Sequence, residues 1–522
     1  MSQPLVLQVL RELEADRNLI GGKAASLVTL LHQGAAVPPA FVLTTEAYRH
    51  WAAGADDAML AKILDQGISA LEQATGRPFG RNSGLIVSVR SGAPISMPGM
   101  MDTVLNVGIG PLQSGADAFL CDARERFLWQ FAELVLGLEV EHLAALLPKL
   151  GPLADASAVN ALQVALEAEA VKRGKTWPQT PAEELLAAAK AVFLSWQSQR
   201  AILYRRMRRI DDALGTSVTV QQMVFGNRDS QSGSGVAFSR NPTTGERGLC
   251  GEFSFGGQGE EVVAGRETGQ SLERWRALQP TLFAELDQLG KRLEAAFEKV
   301  FEIEFTIEQA RLYVLQCRPA LLTARAGARV AVEMSQEGLL EHCAALQYAQ
   351  SHGFDPAVDP DTLTVRPDSV PLGHGLAVGG GVGVGRVALR VERAEEYIRA
   401  GEPVVFVAAE TSPNLLPIMQ RSAALITMRG GASSHAAVVA RELGTPCIVG
   451  VGAEMNTSCA LIGSGLHDGD WATVDGDHGA IYSGDVSERT SRLTRFEQTL
   501  RHWAAETSNG NDHEGGINET QR

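Results

Sequence analysis

The sequence predicts a multidomain protein of mixed α/β and α+β class. Its 522 residues are too many for one ordinary core, because domains average roughly 150 residues. Short helical and extended patterns alternate over residues 18–110, a long Ala- and Leu-rich helical pattern follows over 112–212, and glycine-rich extended runs occupy most of the remainder. This order predicts sheets covered by helices and interrupted by a helical insertion.

The composition is that of a globular protein, and it excludes some classes of partner. The sequence is 45% hydrophobic and 20% charged, with 46 Lys and Arg against 61 Asp and Glu, a formal charge of −15. Such an acidic chain is unsuited to nonspecific binding of nucleic acid or of an anionic membrane. No apolar run is long enough to span a membrane, the first residues do not read as a signal peptide, and the six cysteines lack metal-binding spacing. We therefore expect a cytoplasmic protein with reduced cysteines.

The first helices and strands carry recognisable boundaries. "KAASLVTLLHQG" has helical periodicity and stops at Gly34, and the extended run "FVLTT" follows it. Residues 85–89 read as a buried strand that ends at Arg90 and opens into a loop rich in Gly, Ser, Pro and Met. Within the helical insertion, Thr180, Pro181 and Glu183 have the spacing of a helix start.

The segment "FEIEFTIEQARLYVLQCR" predicts a hairpin that follows an amphipathic helix over 282–300. Apolar residues alternate with Glu302, Glu304 and Glu308, so a strand would align these carboxylates on one face. One interpretation is a solvated face. The other is a Mg²⁺ site, in which Gln316 of the returning strand comes alongside Glu304 and Arg318 reaches the same phosphates.

Four further residues could bind phosphate. Gly233 and Gly235 lie between two extended runs, where they predict either a plain tight turn or a loop whose backbone N–H groups close over a triphosphate. Lys23 follows "IGG" at a predicted helix start. A cation there could bind phosphate or simply be solvated, and the same alternatives hold for Arg90.

The stretch "RGGASSHAAVVARELGTPCIVG" places His435 at the start of a predicted helix, just after a loop that begins with two glycines. Helix N-termini present unpaired N–H groups and a positive dipole end, so a phosphate could be held there. Ser433 and Ser434 can cap the helix and donate to phosphate oxygens. The alternative is a capped helix with a structural role only.

Several of these segments, taken in order, resemble the pyruvate, phosphate dikinase family over residues 18–485. The resemblance rests on "VSVRSGAPISMPGMMDTVLNVG", "TVQQMVFGN", "GSGVAFSRNPTTGE", "GEFSFGGQGEEVVAG", "EIEFTIEQARLYVLQCR" and "ETSP…RGGASSHAAVVARELGTPCIVG". It implies an ATP-grasp nucleotide-binding region over 1–340 and a swivelling phosphohistidine domain over 371–485. The composition itself predicts a hinge or linker within 341–370, where Pro and Asp accumulate, and a helical or disordered tail over 486–522, with disorder expected over the polar residues 507–522.

The resemblance also implies roles for individual residues. His435 matches the histidine that accepts a phosphoryl group from ATP, with Ser433 and Ser434 beside it. The nucleotide ligands that it implies, besides the two glycines, are Lys23, Arg90, Gln258, Glu302 and Arg318, and the Mg²⁺ ligands are Glu304 and Gln316. Glu302 and Ser433 stand where the family often has aspartate and threonine, which are conservative departures.

The implied activity is a phosphotransfer in which Mg²⁺-ATP, with inorganic phosphate as cosubstrate, phosphorylates His435 and leaves AMP and pyrophosphate. A barrel domain that binds pyruvate needs roughly 250 residues, whereas 522 − 485 = 37 residues follow the phosphohistidine region. We therefore expect the acceptor to be bound by a separate barrel-type subunit or at an unidentified site. The alternatives are a kinase of a small organic alcohol or phenol, and a noncatalytic or regulatory phosphocarrier.

Overall fold

The computed structural model divides into two compact units. It describes residues 3–81, 84–95, 97, 100–140, 143, 155–257, 270–358, 362–452, 455, 459–460, 465–491 and 493–514. The first unit comprises residues 1–232 and 306–317, and the second comprises 233–305 and 318–522. Residues 371–485, predicted as a separate domain, thus cluster with 233–305. The boundaries at 340 and 370 stay predictions.

The first unit combines a small sheet with a large helical part. Its helices are α1 (Arg17–His32), α2 (Thr45–Ala52), α3 (Asp57–Thr75), α4 (Ala118–Leu134), α5 (Ala156–Lys172), α6 (Pro181–Ser195) and α7 (Gln199–Arg208). Its strands are β1 (Val6–Gln8), β2 (Ala40–Leu43), β3 (Val87–Gly92), β4 (Thr103–Val107) and β5 (Ser217–Gln222). The sheet order is β1-β2-β5-β3-β4, and in its antiparallel register Arg90 of β3 lies opposite Thr219 of β5.

Local chemistry sets the predicted helix ends in this unit. Gly34 follows the last turn of α1 with a φ of 74°, the left-handed conformation that glycine adopts without strain. At the start of α6, Thr180 accepts from the N–H of Glu183, and the Glu183 side chain accepts from the N–H of Thr180. Both predicted boundaries are confirmed, because each depends only on residues within one turn.

The second unit contains the remaining elements, except for residues 306–317, which belong to the first unit. Its helices are α8 (Leu272–Leu278), α9 (Pro280–Phe297), α10 (Ala324–Gln336), α11 (His342–Ser351), α12 (Val391–Arg399), α13 (Leu416–Met419), α14 (His435–Leu443) and α15 (Arg495–Glu514). Its first strands are β6 (Gly233–Arg240), β7 (Arg247–Phe255) and β8 (Gln270–Ser271). The predicted hairpin, β9 (Phe301–Glu308) and β10 (Arg311–Pro319), is present, with Gln309 and Ala310 at φ values of 51° and 60° in its turn. The five strands have the order β10-β9-β6-β7-β8.

An eight-stranded mixed sheet carries the region that presents His435. The later strands are β11 (Thr362–Val365), β12 (Gly373–His374), β13 (Leu376–Gly379), β14 (Val382–Ala388), β15 (Val404–Ala408), β16 (Ala424–Thr427), β17 (Cys447–Val449), β18 (Cys459–Ala460), β19 (Leu466–His467), β20 (Trp471–Asp475), β21 (Ala480–Ser483) and β22 (Ser487–Thr490). The sheet order is β12-β21-β20-β14-β15-β16-β17-β13. Strands β14 to β17 are parallel neighbours, and α14 connects β16 to β17 as a crossover helix.

The predicted linker and tail contain regular structure. Strand β11 pairs antiparallel with β22, and α11 lies inside the predicted linker. Leu500 and Trp503 of α15 are buried in a cluster with α10 and α11. The helix extends to Glu514, where the sequence predicted disorder from residue 507. The difference arises because the polar residues after 507 extend α15, whose earlier turns are held by the buried side chains of Leu500 and Trp503.

Two general findings concern the described part of the chain. No helix there is both long and apolar enough to cross a membrane. The five cysteines described with their side chains carry free thiols: Cys121, Cys250, Cys317, Cys343 and Cys447.

Candidate functional site

His435 is the first residue of α14, as the sequence predicted. Ser434 is the N-cap residue, and its Oγ accepts a hydrogen bond of 3.4 Å from the N–H of Ala437. Ser433 is also buried, and its Oγ has no hydrogen-bond partner within the described residues. A buried hydroxyl without a partner is costly, so this atom is available to a ligand oxygen.

The imidazole of His435 is held by a threonine. Thr411 Oγ1 lies 3.0 Å from His435 Nδ1. If Nδ1–H donates to the threonine oxygen, the lone pair of the neutral ring lies on Nε2. Burial lowers the pKa of His435, because desolvation disfavours the imidazolium. The arrangement thus favours a neutral ring whose Nε2 carries the free lone pair.

The first prediction concerns this protonation state. We expect His435 to titrate with a midpoint below 6.5, the ordinary histidine value, since burial stabilises the neutral ring. The test is a titration of the ¹⁵N signals of the histidine rings without nucleotide, with the His435 signal assigned by its loss in His435→Ala. A midpoint at or above 6.5 would contradict the proposed environment.

The second prediction concerns Thr411. Thr411→Val keeps the volume but removes the oxygen that orients the ring. We expect the rate of phosphoryl transfer to His435 to fall about 5- to 10-fold, the effect of losing one hydrogen bond. Thr411→Ser keeps the hydroxyl and should stay near the wild-type rate. Equal rates for the valine and serine variants would show that the contact does not orient the ring.

The loop before His435 is held on both sides of Ala432. Its N–H donates to Glu252 Oε1 of β7 at 2.8 Å, and its carbonyl accepts from Arg441 Nη2 of α14 at 2.8 Å. A Cβ at Gly431 would lie 2.0 Å from both oxygens of Glu252, so only glycine allows this approach. Burial raises the pKa of Glu252, and the hydrogen bond from Ala432 opposes that shift.

Within the first unit, two of the predicted nucleotide ligands, Lys23 and Arg90, lie together with Gln316, a predicted Mg²⁺ ligand. Lys23 Nζ donates to the carbonyl of Ser91 at 2.7 Å, one residue from Arg90. Arg90 Nη2 donates to Gln316 Oε1 at 3.1 Å, and its Nη1 donates to the carbonyl of Leu315 at 3.3 Å. The result is a group of two cations and one amide, which is suited to phosphate oxygens.

Within the second unit, the carboxylates of β9 have different surroundings. Glu302 is buried and forms an ion pair of 2.8 Å with Arg318 Nη2. Glu304 is partly exposed. The interpretation as a uniformly solvated face is therefore wrong for Glu302, because this carboxylate is buried against Arg318 of β10.

The Mg²⁺ assignment to Glu304 and Gln316 stays a prediction. Both side chains offer oxygen atoms, which are the ligands that Mg²⁺ prefers. Glu304 belongs to the second unit and Gln316 to the first. Among the described residues, no group of three or more His, Cys, Asp or Glu side chains is placed to hold a metal ion.

The two glycines predicted in a flexible loop lie inside strand β6 instead. Gly233 pairs with Phe255 and Gly235 with Phe253 of β7. A Cβ at Gly233 would lie 2.2 Å from the ring of Phe253, and one at Gly235 would lie 2.7 Å from the ring of Phe305. Only glycine fits at these two positions because aromatic rings pack against the strand there. The local sequence does not reveal this packing. Gln258, the remaining predicted nucleotide ligand, lies outside the described residues.

Sequence reasoning missed three residues of this site: Thr411, Glu252 and Arg441. Thr411 is 24 residues from His435 and Glu252 is 180 residues from Ala432, so both contacts depend on the tertiary fold. Arg441 alone had a local signal, because a single arginine interrupts the apolar residues of the predicted helix.

Comparison with known families and proteins gives two family matches and several similar proteins. A family model described as "Pyruvate phosphate dikinase, AMP/ATP-binding domain" matches residues 55–277 and 270–339, and one described as "PEP-utilising enzyme, mobile domain" matches 400–479. "Pyruvate, phosphate dikinase" of Clostridium symbiosum is 35% identical over 517 residues, covering 94% of this chain and 59% of the relative.

Two plant proteins show the same pattern. "Pyruvate, phosphate dikinase 2" of Zea mays is 36% identical over 512 residues, covering 93% of this chain and 58% of the relative. "Pyruvate, phosphate dikinase 1, chloroplastic" of Arabidopsis thaliana is 35% identical over 514 residues, covering 94% of this chain and 53% of the relative. The chain thus spans between half and three fifths of the length of these curated relatives.

Proposed function

This chain belongs to the pyruvate, phosphate dikinase family, and from that premise we propose that it is an ATP-dependent phosphotransferase whose covalent carrier is His435. In the proposed reaction Nε2 of His435 takes the β-phosphoryl group of ATP. The γ-phosphoryl group joins inorganic phosphate to form pyrophosphate, and AMP leaves. The observation that carries the proposal is the position of the His435 ring at a helix start, with Nδ1 3.0 Å from Thr411 Oγ1.

The surroundings of His435 support the chemistry of a phosphohistidine. The N-terminal end of α14 disfavours the imidazolium and stabilises the negatively charged product. Ser433 Oγ, buried and without a partner among the described residues, can donate to a phosphoryl oxygen. A neutral nucleophile and a donor for the product are the two requirements of covalent phosphoryl transfer.

We assign the nucleotide to the remaining predicted ligands. Lys23 and Arg90 bind phosphate oxygens, and Arg318, paired with Glu302, adds a third cation. Gln258 completes the proposed set. Mg²⁺, held by Glu304 and Gln316, would neutralise charge on the phosphates.

The final acceptor in the proposal follows the names of the relatives, so pyruvate is the first candidate. It would be bound by a separate barrel-type subunit or at a site that the assigned residues do not form. A small organic alcohol or phenol is the alternative acceptor. The alternative function that is not enzymatic is a noncatalytic phosphocarrier. We propose the cytoplasm as the location, because free thiols fit a reducing compartment.

Exchange of isotope between AMP and ATP tests the proposal without an acceptor. Labelled AMP should enter ATP when Mg²⁺ and pyrophosphate with phosphate are present, and this exchange should be absent in His435→Ala. Formation of ADP as the nucleotide product would contradict the proposal. Nucleotide binding without exchange would favour the noncatalytic phosphocarrier.

Omission of inorganic phosphate tests the cosubstrate. The proposal predicts that pyrophosphate forms only with added phosphate, whereas water as second acceptor would release the γ-phosphoryl group as a single phosphate ion. The phosphorylated chain, freed of nucleotide, can then be mixed with pyruvate, with an alcohol or phenol, or with pyruvate and a barrel-type subunit. Loss of label to phosphoenolpyruvate identifies pyruvate, and loss to an organic phosphate identifies the alternative.

A further inference from the structure

Arg441 is a buried cation that neither the predicted site nor the proposed reaction uses. It lies in α14, six residues after His435, and is 5% exposed. Its Nη2 donates to the carbonyl of Ala432 at 2.8 Å, and its guanidinium carbon lies 5.5 Å from the ring centre of Phe238 in β6. Its Nε and Nη1 have no hydrogen-bond partner within the described residues.

The charge of Arg441 is poorly compensated. In the part of the chain that the structure describes, no carboxylate lies within ion-pair distance of its guanidinium. Burial lowers the pKa of Arg441 to about 10, with Glu302 favouring the charged form and Arg318 opposing it. The side chain therefore remains a cation at neutral pH. A buried cation held mainly by one carbonyl is costly, and a packed apolar side chain would fill the same volume at lower cost.

The carbonyl that Arg441 binds belongs to the loop that presents His435. Ala432 is held through its N–H by Glu252 and through its carbonyl by Arg441, so both peptide groups beside its Cα are fixed. Ser433 and Ser434 follow directly, and α14 begins at His435. Because six residues of helix rise about 9 Å along the axis, Arg441 acts on His435 through the loop and not by direct contact.

We propose that Arg441 is a positioning residue for phosphoryl transfer: its guanidinium fixes the Ala432 carbonyl, and thereby the serines and the histidine that receive the phosphoryl group. The inference rests on the proposed function of His435. Loss of the guanidinium should misplace the nucleophile without weakening nucleotide binding, because the cations proposed to bind ATP are Lys23, Arg90 and Arg318.

The test compares Arg441→Gln and Arg441→Lys with a matched control. Arg205 is also buried, at 1% exposure, and its Nη1 donates to the carbonyl of Trp196 at 2.6 Å, far along the chain from the site. Arg205→Gln therefore reports the cost of removing a buried guanidinium from a carbonyl and from its ion pair with Asp212. For each variant we would measure the single-turnover rate of His435 phosphorylation per folded molecule, the affinity for Mg²⁺-ATP, and the ¹⁵N signals of the His435 ring without nucleotide.

We expect Arg441→Gln to slow phosphorylation about 10- to 100-fold, as small misplacements of a reacting group do. The affinity for Mg²⁺-ATP should stay within about 2-fold, since binding and chemistry use different residues. Arg441→Lys, which keeps the charge but not the geometry, should recover part of the rate. The His435 ring signal should shift in Arg441→Gln and stay unchanged in Arg205→Gln.

Two results would overturn the inference. One is a folded Arg441→Gln that is phosphorylated at the wild-type rate with an unchanged His435 signal. If that variant does not fold, a wild-type rate and signal in Arg441→Lys are decisive against it. Failure of the wild-type chain to become phosphorylated would instead overturn the proposed function. The ring signal of His435 needs no nucleotide, so it tests the positioning role in that case as well.

Discussion

Replacement of Arg90 by alanine is expected to reduce the rate of His435 phosphorylation about 100- to 1,000-fold. Loss of one charged hydrogen-bond donor to the transferring phosphoryl group has an effect of about this size. Arg90 Nη2 donates to Gln316 Oε1, and Nη1 donates to the carbonyl of Leu315. The substitution would therefore remove a proposed phosphate ligand and free the amide proposed to bind Mg²⁺. The measurement is the single-turnover rate at saturating Mg²⁺-ATP.

The control for Arg90→Ala is Arg49→Ala. Arg49 is an exposed arginine of the same unit, with an ion pair of 2.8 Å to Glu46, and its loss should leave the rate within about 2-fold. Arg90→Lys keeps the charge but cannot form the bidentate hydrogen bonds of a guanidinium, so an intermediate rate is expected. A wild-type rate in Arg90→Ala would show that this cation has only a structural role.

Replacement of Arg240 by alanine is expected to destabilise the second unit by about 3–5 kcal/mol, the usual cost of breaking a buried ion pair from one side. Arg240 is 3% exposed, its Nε lies 3.0 Å from Glu294, and its Nη2 lies 2.8 Å from Glu337. Glu333 lies 3.5 Å from its Nη1. The substitution leaves Glu294 as a buried carboxylate without a cation.

The free energy of unfolding would be measured in urea, with Lys291→Ala as the control. Lys291 forms a surface pair of 2.7 Å with Asp287 one turn away on the same helix, α9, as Glu294. Its loss should cost at most about 0.5 kcal/mol. A similar small cost for Arg240→Ala would show that Arg247, which also contacts Glu333 and Glu337, carries the network.

The features that could be predicted from sequence are those set by residues close in the chain. Gly34 and Thr180 mark helix boundaries through conformational preference and capping, and the hairpin of β9 and β10 follows from alternation about a short turn. His435 at the start of α14 belongs to the same class, because glycines and two serines precede it. In each case one turn of chain contains the determining chemistry.

The features that could not be predicted depend on contacts between distant segments. Gly233 and Gly235 look like loop residues, yet they lie in a strand because rings of Phe253 and Phe305 fill the space of their missing side chains. Thr411 and Glu252 have no local pattern that marks them as neighbours of His435 and Ala432. Their roles appear only when the sheets are assembled.

The most direct test of the central claim is to locate the phosphoryl group after reaction with ATP labelled at the β-phosphate. We predict one acid-labile, alkali-stable phosphoryl group per chain, on Nε2 of His435, as seen by mass spectrometry and by ³¹P–¹⁵N coupling in histidine-labelled protein. It should be absent in His435→Ala. A label that persists in His435→Ala, lies on another residue, or derives from the γ-phosphate would contradict the assignment of His435 as the carrier.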